Sequence, residues 1–265
     1  MENIKGIVFF DVDGTLIDYN KKISKPSEKT KEAIKKLRDN GYLTMLATGR
    51  PMSFVDPSLK DLNFNGYIAS NGTYIELDGK EMLNDSIKIE KLREIMEYCN
   101  KEEINFILEG QKTSYAPRQE IVDFLVNNFA ITSDKFTVGI EGDHISANKL
   151  VIVDNEKETF KNIFNKFGED FVFMQHPGLN SYDMYRRGCT KGRGIEMFIK
   201  EMGFEDKPTY AFGDGENDIE MFQTVKYGIA MGDAHDRLLP YAYKQTENVP
   251  NEGIYKGLLE LGLIK

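Results

Sequence analysis

The 265-residue sequence has few of the residues that build disulfide frameworks or zinc sites. Its two cysteines, Cys99 and Cys189, lie far apart and form no CxxC pair, which argues against a disulfide scaffold and a cysteine-based zinc site. Three histidines, His144, His176 and His235, give little basis for a histidine-based metal site. We therefore expect both thiols to be free.

Positive charge is also scarce. The chain has 34 Lys and Arg against 43 Asp and Glu, a net charge of −9. Broad binding to nucleic acid needs a basic surface, so no nucleic-acid partner is expected. No run approaches the roughly 20 apolar residues of a membrane span, and the apolar run before Asp11 is too short for a secretory signal. We predict a cytoplasmic protein with no membrane partner.

The chain does have the pattern of an α/β protein. A buried strand at Gly6–Phe10 precedes a helix that Ser24 and Pro26 open and Gly41 ends. A strand at Tyr42–Ala47, a helix starting at Pro51 and a strand at 66–70 follow. Strands that alternate with helices favour a parallel sheet with right-handed crossovers.

From about residue 83 a second α/β pattern begins, and from Thr190 the first pattern resumes. We therefore predict a core domain of residues 1–82 and 186–265, with an inserted domain of residues 83–185. The predicted helices of the insertion are 89–99, 119–128 and 156–167, and its strands are 104–108, 149–153 and 171–175. The predicted elements after Thr190 are a helix, a strand at 208–212, a helix from 217 to 222 and a strand at 227–230.

Two carboxylates, Asp11 and Asp13, directly follow the first strand, and Gly14 lets the chain turn sharply there. In open α/β sheets the carboxyl ends of strands form the ligand crevice, and Mg²⁺ prefers carboxylate oxygens. An EF-hand is excluded because Gly14 falls at position 4 instead of 6. A glycosidase pair and a simple polar turn stay open from these residues alone.

Three further motifs each have an ordinary structural explanation. Thr48-Gly49-Arg50 follows the second strand and suits an anion site or a capped helix start. Lys191 lies at a helix start, where a cation is unfavourable unless negative charge is near, although a solvated lysine is the alternative. Asp214 begins a run of acids that repel one another unless a cation relieves them, or that simply form a solvated acidic turn.

In this order the four motifs, DxDGT, TGR, a lysine and GDxxND, resemble those of the haloacid dehalogenase-like (HAD) superfamily. The similarity is greatest to the Cof-type phosphatase branch. That resemblance implies a Rossmann-like parallel-sheet core with an inserted α/β cap domain of the C2B type. It also implies a Mg²⁺ cofactor and a small phosphorylated metabolite as substrate, most often a sugar phosphate.

The resemblance further implies a role for each motif residue. Asp11 would be the nucleophile and Asp13 the general acid and base, with Thr48 and Lys191 completing the catalytic set. The metal would be held by the carboxylates of Asp11 and Asp214 and the backbone carbonyl of Asp13. The phosphate would be held by Val12, Thr48, Gly49, Lys191 and Asn217, and these groups would be supported by Arg50, Asn71 and Asp218.

Two positions depart from the branch: Asp183 stands where Glu is frequent, and Asp233 where Asn is common. In the cap, substrate contacts or ordinary packing are both open for Glu109, Tyr115, Arg118, His176, Tyr182 and Tyr185. The sequence therefore predicts a Mg²⁺-dependent phosphomonoesterase that works through an aspartyl-phosphate. The alternatives are a phosphosugar mutase and a metabolite-binding protein without catalysis. The oligomeric state is not predicted.

Overall fold

A computed structural model describes residues 4–128, 131–140, 144–153, 157–176 and 178–265, with residues 157–159 described by their backbone alone. The chain divides into two compact units. The core unit comprises Met1–Gly49, Val55–Leu83 and Thr190–Lys265, and the inserted unit comprises Arg50–Phe54 and Asn84–Cys189. The predicted α/β class with an inserted domain is confirmed, while the predicted boundaries at 82/83 and 185/186 stay a prediction.

The strands are β1 (Gly6–Phe10), β2 (Tyr42–Ala47), β3 (Gly66–Ala69), β4 (Tyr74–Leu77), β5 (Lys80–Asn84), β6 (Asn105–Glu109), β7 (Ser114–Ala116), β8 (Phe136–Val138), β9 (Lys149–Val153), β10 (Phe171–Gln175), β11 (Ser181–Arg186), β12 (Thr209–Gly213), β13 (Tyr227–Ala230) and β14 (Lys244–Gln245). The α-helices are α1 (Glu28–Asp39), α2 (Pro57–Lys60), α3 (Ile89–Lys101), α4 (Gln119–Asn128), α5 (Lys157–Phe167), α6 (Lys191–Met202), α7 (Ile219–Thr224) and α8 (Gly253–Glu260).

The core unit is built on a sheet with the order β14-β13-β12-β1-β2-β3-β4-β5. The strands from β14 to β3 are parallel, and β4 is antiparallel to β3. β1 lies in the middle and every one of its residues is buried, as expected for a parallel strand covered on both faces. This arrangement puts the carboxyl ends of β1, β2 and β12 side by side.

Helices cover both faces of the core sheet. Ile7 and Phe9 pack with Ile195 and Phe198 of α6 in one buried cluster. Phe10 points to the opposite face, where its ring stacks on Phe212 at 5.4 Å between centroids. Each fully buried apolar side chain of this size contributes about 1.5–3 kcal/mol to folding. The packing therefore holds the end of β1 rigidly.

Two predicted helix starts in the core sequence are wrong. Helix α1 begins at Glu28, because the Ser27 hydroxyl accepts from the Thr30 N–H and caps it. The residue before Pro26 is disfavoured in helical conformation, so Ser24 does not open the helix. Pro51 precedes only a single 3-10 turn, Met52–Phe54, and the next α-helix is the one-turn α2, capped by Asp56.

The inserted unit has its own sheet, with the order β10-β11-β9-β6-β7-β8. Helices α3 and α5 pack on one face through Ile95 and Ile163, and α4 packs on the other through Leu125. Strand β11 was not predicted, yet it pairs antiparallel with both β9 and β10 and so completes the sheet. The predicted start of the third helix, Glu156, lies outside the described residues.

Among the described residues, every helix is too short or too polar to cross a bilayer. The predicted cytoplasmic location stays a prediction.

Candidate active site

The carboxyl ends of three adjacent parallel strands carry the polar side chains of the site. Asp11 follows β1, and its N–H donates to the carbonyl of Phe212 in β12 (3.0 Å). Thr48 follows β2, and its N–H donates to the carbonyl of Ile68 in β3 (2.8 Å). Asp214 follows β12. The continued strand pairing fixes where each side chain leaves the sheet.

The turn after Asp11 depends on glycine. The Val12 carbonyl accepts from the N–H groups of Thr15, Leu16 and Ile17 at 3.3, 2.9 and 3.1 Å, which folds the chain back on itself. Gly14 has φ +82°, and a Cβ atom there would overlap the Asp214 carboxylate. Glycine therefore permits both the left-handed backbone and the close approach of the two acidic loops.

Lys191 is a fully buried lysine between two carboxylates. It is the first residue of α6, whose start is capped by the Thr190 hydroxyl. Its Nζ lies 2.5 Å from Asp11 Oδ1 and 2.7 Å from Asp218 Oδ1. The misfit of a lysine at a helix start is thus resolved by two negative charges, as the sequence suggested.

Asp218 holds the loop that carries Asp214. While its Oδ1 accepts from Lys191, its Oδ2 accepts from the N–H groups of Asp214 (2.9 Å) and Gly215 (3.0 Å). Both oxygens are thus engaged and the residue is fully buried. This bonding fits the supporting role expected for Asp218.

Thr15 has a contact that the sequence analysis missed. Its hydroxyl donates to Asp214 Oδ1 at 2.9 Å, and the residue is 1% exposed. The signal was present, since a hydroxyl residue directly follows Gly14, but only the three-dimensional turn brings it to Asp214. Thr15 fixes one oxygen of that carboxylate and leaves the other available.

Negative charge exceeds positive charge at this site. Burial, followed by the neighbouring Asp218, raises the pKa of Asp11 well above its ordinary value, with Lys191 opposing. Burial and Asp218 likewise raise the pKa of Asp214 to about 7. Burial acts to lower the pKa of Lys191, but Asp11 and Asp218 outweigh it and raise that pKa. The lysine is charged, and a further cation would relieve the carboxylates.

The donor set fits a hard divalent cation. Asp11, Asp214 and Asp218 each offer a carboxylate oxygen, and these oxygens lie within 4.8 Å of one another. Since Asp218 already uses both oxygens, Asp11 and Asp214 are the better candidates for direct ligands. Asp13 has an exposed side chain, and its expected contribution is a backbone carbonyl. Oxygen donors and net negative charge suit Mg²⁺.

Of the remaining predicted residues, Asn71 and Asn217 belong to the core unit, whereas Arg50 does not. Asn71 supports the second strand end, because its N–H donates to the Thr48 carbonyl (3.2 Å). A Cβ at Gly49 would lie 3.0 Å from Asn71 Oδ1, so the two residues pack closely. Asn217 is half-buried on the Asp214 loop. Arg50, by contrast, belongs to the inserted unit, where its guanidinium donates to the Phe54 carbonyl (3.4 Å).

The candidate cap residues have varied surroundings within the inserted unit. Tyr182 stacks on Phe160 at 3.8 Å and Tyr115 packs against the apolar cluster, so both have packing roles. The Arg118 guanidinium donates to Asn105 Oδ1. Glu109 and His176 instead belong to one buried charged cluster, described below.

The fold and the site define an α/β protein with a carboxylate cluster at its parallel strand ends, and comparison with known proteins gives the family. The family model of haloacid dehalogenase-like hydrolases matches residues 8–258. The chain therefore belongs to that family. YkrA of Bacillus subtilis, whose name assigns it provisionally to the phosphatases, is 29% identical over 265 residues, 98% of each chain. The Bacillus subtilis 5-amino-6-(5-phospho-D-ribitylamino)uracil phosphatase YitU is 22% identical over 98% of each chain.

Solved structures agree with this assignment. A hypothetical protein from Geobacillus kaustophilus superposes with a TM-score of 0.86 and 28% identity, over 98% of this chain and all of that one. The HAD subclass IIB sugar phosphatase BT4131 has a similar fold, with a TM-score of 0.80 and 23% identity over 98% of this chain and all of that one. The predicted family and the enzyme class of HAD phosphatases are confirmed.

Proposed function

We propose that this protein is a Mg²⁺-dependent phosphomonoesterase that transfers the phosphoryl group to Asp11 and then hydrolyses the aspartyl-phosphate. The observation that carries the proposal is the Asp11 carboxylate, held by Lys191 at 2.5 Å beside the Asp214 carboxylate. Asp11 is 5% exposed and fixed by the end of β1, so its attacking oxygen has a defined position.

Each neighbouring group has a part in this reaction. The phosphorus of the substrate bonds to a carboxylate oxygen of Asp11 as the ester oxygen leaves with a proton from Asp13. Asp13 then takes a proton from water, which attacks the aspartyl-phosphate and releases inorganic phosphate. Lys191 offsets negative charge on the transferring group, which Thr48, Gly49, Asn217 and the Val12 N–H hold in place.

The metal would be held by Asp11, Asp214 and the Asp13 carbonyl. When bound, Mg²⁺ offsets the repulsion between a phosphate dianion and these carboxylates, a contribution of several kcal/mol. Asp218 and Thr15 keep the Asp214 carboxylate in the orientation that such binding requires. Asn71 is proposed to support the strand-end loop that carries Thr48.

We propose a small phosphorylated polyol or sugar as the substrate. Relatives support this class, since one is named a sugar phosphatase and another acts on a phosphoribityl compound. We further propose that the predicted cap, residues 83–185, selects among such compounds, and that the enzyme works in the cytoplasm.

The test is phosphate release from a panel of sugar phosphates, nucleotides and pyridoxal phosphate, with Mg²⁺ and with EDTA. Asp11→Asn keeps the size of the side chain and removes the nucleophile, so release should fall by about 10³-fold or more. Asp206→Asn, at an exposed position of the core unit, is the matched control and should match the wild type.

Two outcomes would favour the alternatives. Conversion of one sugar-phosphate isomer to another without net phosphate release would identify a mutase. Saturable binding without turnover of any compound would identify a metabolite-binding protein. Release that survives in Asp11→Asn would contradict the proposed nucleophile.

A further inference from the structure

The inserted unit contains a buried charged cluster that the proposed reaction does not use. Glu109 ends β6 and lies directly opposite Lys149, the first residue of β9. Lys149 Nζ lies 2.8 Å from Asp183 Oδ2 in β11 and 3.2 Å from Glu109 Oε2. His176, just after β10, places its Nε2 3.2 Å from Asp183 Oδ1. Glu109 and Asp183, which are distant in sequence, thus both pair with Lys149, and His176 contacts Asp183.

The cluster contains two carboxylates, Glu109 and Asp183, but only one lysine. Lys149 makes a hydrogen bond to Asp183, whereas Glu109 Oε2 has no hydrogen-bond partner among the described residues. Glu109 is only 3% exposed, so water does not replace the missing partner freely. A buried carboxylate without hydrogen bonds is costly when charged. The surplus negative charge therefore falls on Glu109.

The remaining contacts keep Asp183 ionised. Asp183 accepts from Lys149 through one oxygen and faces His176 Nε2 with the other, so that ring nitrogen carries a hydrogen. The other ring nitrogen, Nδ1, meets the Ser181 hydroxyl at 2.8 Å. Burial acts to raise the pKa of Asp183, but Lys149 and the bond with His176 outweigh it and hold that pKa below its usual range.

Glu109 is affected in the opposite direction. Burial, opposed by Lys149 and reinforced by Asp183, raises its pKa from 4.5 to about 7. Among the described residues of the inserted unit, His176 faces Asp183, Tyr185 of β11 is the strand partner of Lys149 in β9, and Arg186, next to Tyr185, pairs with Asp85. Arg50 belongs to the segment in which Ser53 bonds the Gly110 carbonyl.

We propose that Glu109 is a proton-operated switch in the inserted sheet: when its buried carboxyl group ionises, it competes with Asp183 for Lys149 and loosens the pairing of β6, β9 and β11. Glu109 binds its proton more tightly in the folded chain than in the unfolded chain, so stability falls as pH rises from about 4.5 to about 7 and then levels off.

The experiment is hydrogen exchange of the peptides that contain β6, β9 and β11 in the full-length protein from pH 5 to pH 8, corrected for intrinsic exchange rates. In the wild type, protection should fall by up to about tenfold for each pH unit between pH 5 and about pH 7, because one linked proton allows no steeper change. Glu109→Gln removes the charge and keeps the shape. Its protection should change little with pH and should exceed that of the wild type at pH 8.

Glu120→Gln, at an exposed position of α4, is the matched control and should follow the wild type. Parallel pH curves for wild type and Glu109→Gln would overturn the proposal. If Glu109→Gln does not fold, the wild type labelled with ¹³C at its glutamate carboxyl carbons decides the matter. One carboxyl signal should titrate near pH 7, and titration of every glutamate near pH 4.5 would overturn the switch.

Discussion

Each unit of the molecule buries a lysine between two carboxylates, and the two clusters treat their surplus charge differently. In the core unit, Lys191 hydrogen-bonds both Asp11 and Asp218. In the inserted unit, Lys149 hydrogen-bonds Asp183 and only approaches Glu109. The same residue types therefore leave an additional acid, Asp214, beside the first lysine, whereas beside the second lysine Glu109 has an ion pair but its Oε2 lacks a hydrogen bond.

Local backbone structure explains the difference. In the core unit the carboxylates lie at parallel strand ends and at the start of a helical turn, where backbone N–H groups bind Asp218. Oxygens of Asp11 and Asp214 then face one another, as a divalent cation requires. In the inserted unit the charged side chains extend from neighbouring antiparallel strands, whose N–H groups are used in the sheet. There a proton on Glu109 is the simplest way to neutralise the surplus.

The largest expected effect breaks the core cluster. Lys191→Met keeps a long side chain but removes the charge beside Asp11, so we expect the rate of phosphate release to fall by about 10²–10³-fold. Steady-state kinetics on the best substrate of the panel would measure it, with Lys200→Met, on the exposed part of α6, as the control. Activity within threefold of wild type would show that Lys191 is only structural.

The matching change in the inserted unit should lower stability without a direct effect on catalysis. Lys149→Met removes the cation shared by the buried Glu109 and by Asp183, whose side chain is 20% exposed, which costs up to about 3–5 kcal/mol. Denaturant unfolding at pH 7 would measure the loss. Lys101→Met, whose side chain is 81% exposed, is the control and should change stability by less than about 0.5 kcal/mol. An unchanged unfolding midpoint for Lys149→Met would contradict this prediction, because it would show that Lys149 does not stabilise the two carboxylates.

Much of the core site could be predicted from the sequence, whereas little of the charged cluster in the insertion could. Strands β1 and β2 were predicted to the residue, because buried apolar runs bounded by Asp11 and Thr48 leave little choice of limits. Since parallel strand ends meet at one edge, the motif residues could be expected to lie together. The side-chain roles themselves stay predictions.

The inserted cluster depends on register, which sequence does not specify. Strand β11 has no strict alternation of polar and apolar residues, so its sequence does not indicate a strand, although Asp183 departs from the pattern of the branch. Only the pairing of β11 with β9 brings Asp183 to Lys149. Likewise, Thr15 reaches Asp214 across almost 200 positions of the chain, through a turn whose shape depends on Gly14.

A smaller effect should follow from removing the Thr15 hydroxyl. Thr15→Val preserves shape and leaves Asp214 Oδ1 without its donor, a change worth about 1 kcal/mol, so Mg²⁺ binding should weaken by roughly three- to tenfold. Titration calorimetry with Mg²⁺ would measure it without substrate. Thr15→Ser restores the hydroxyl and should recover most of the affinity; equal affinity in the Val and Ser variants would exclude this positioning role.

The smallest effect concerns an ion pair of the core unit that is not buried. Lys21 pairs with Asp233, the position where Asn is common in the branch, and the two side chains are 35% and 44% exposed. Asp233→Asn removes the charge but can still hydrogen-bond Asn248, which now donates to Asp233 Oδ1 at 2.9 Å. Because water screens an exposed pair, unfolding free energy should change by less than about 1 kcal/mol. A loss comparable with that of Lys149→Met would mean that burial is not what separates strong from weak charge clusters in this protein.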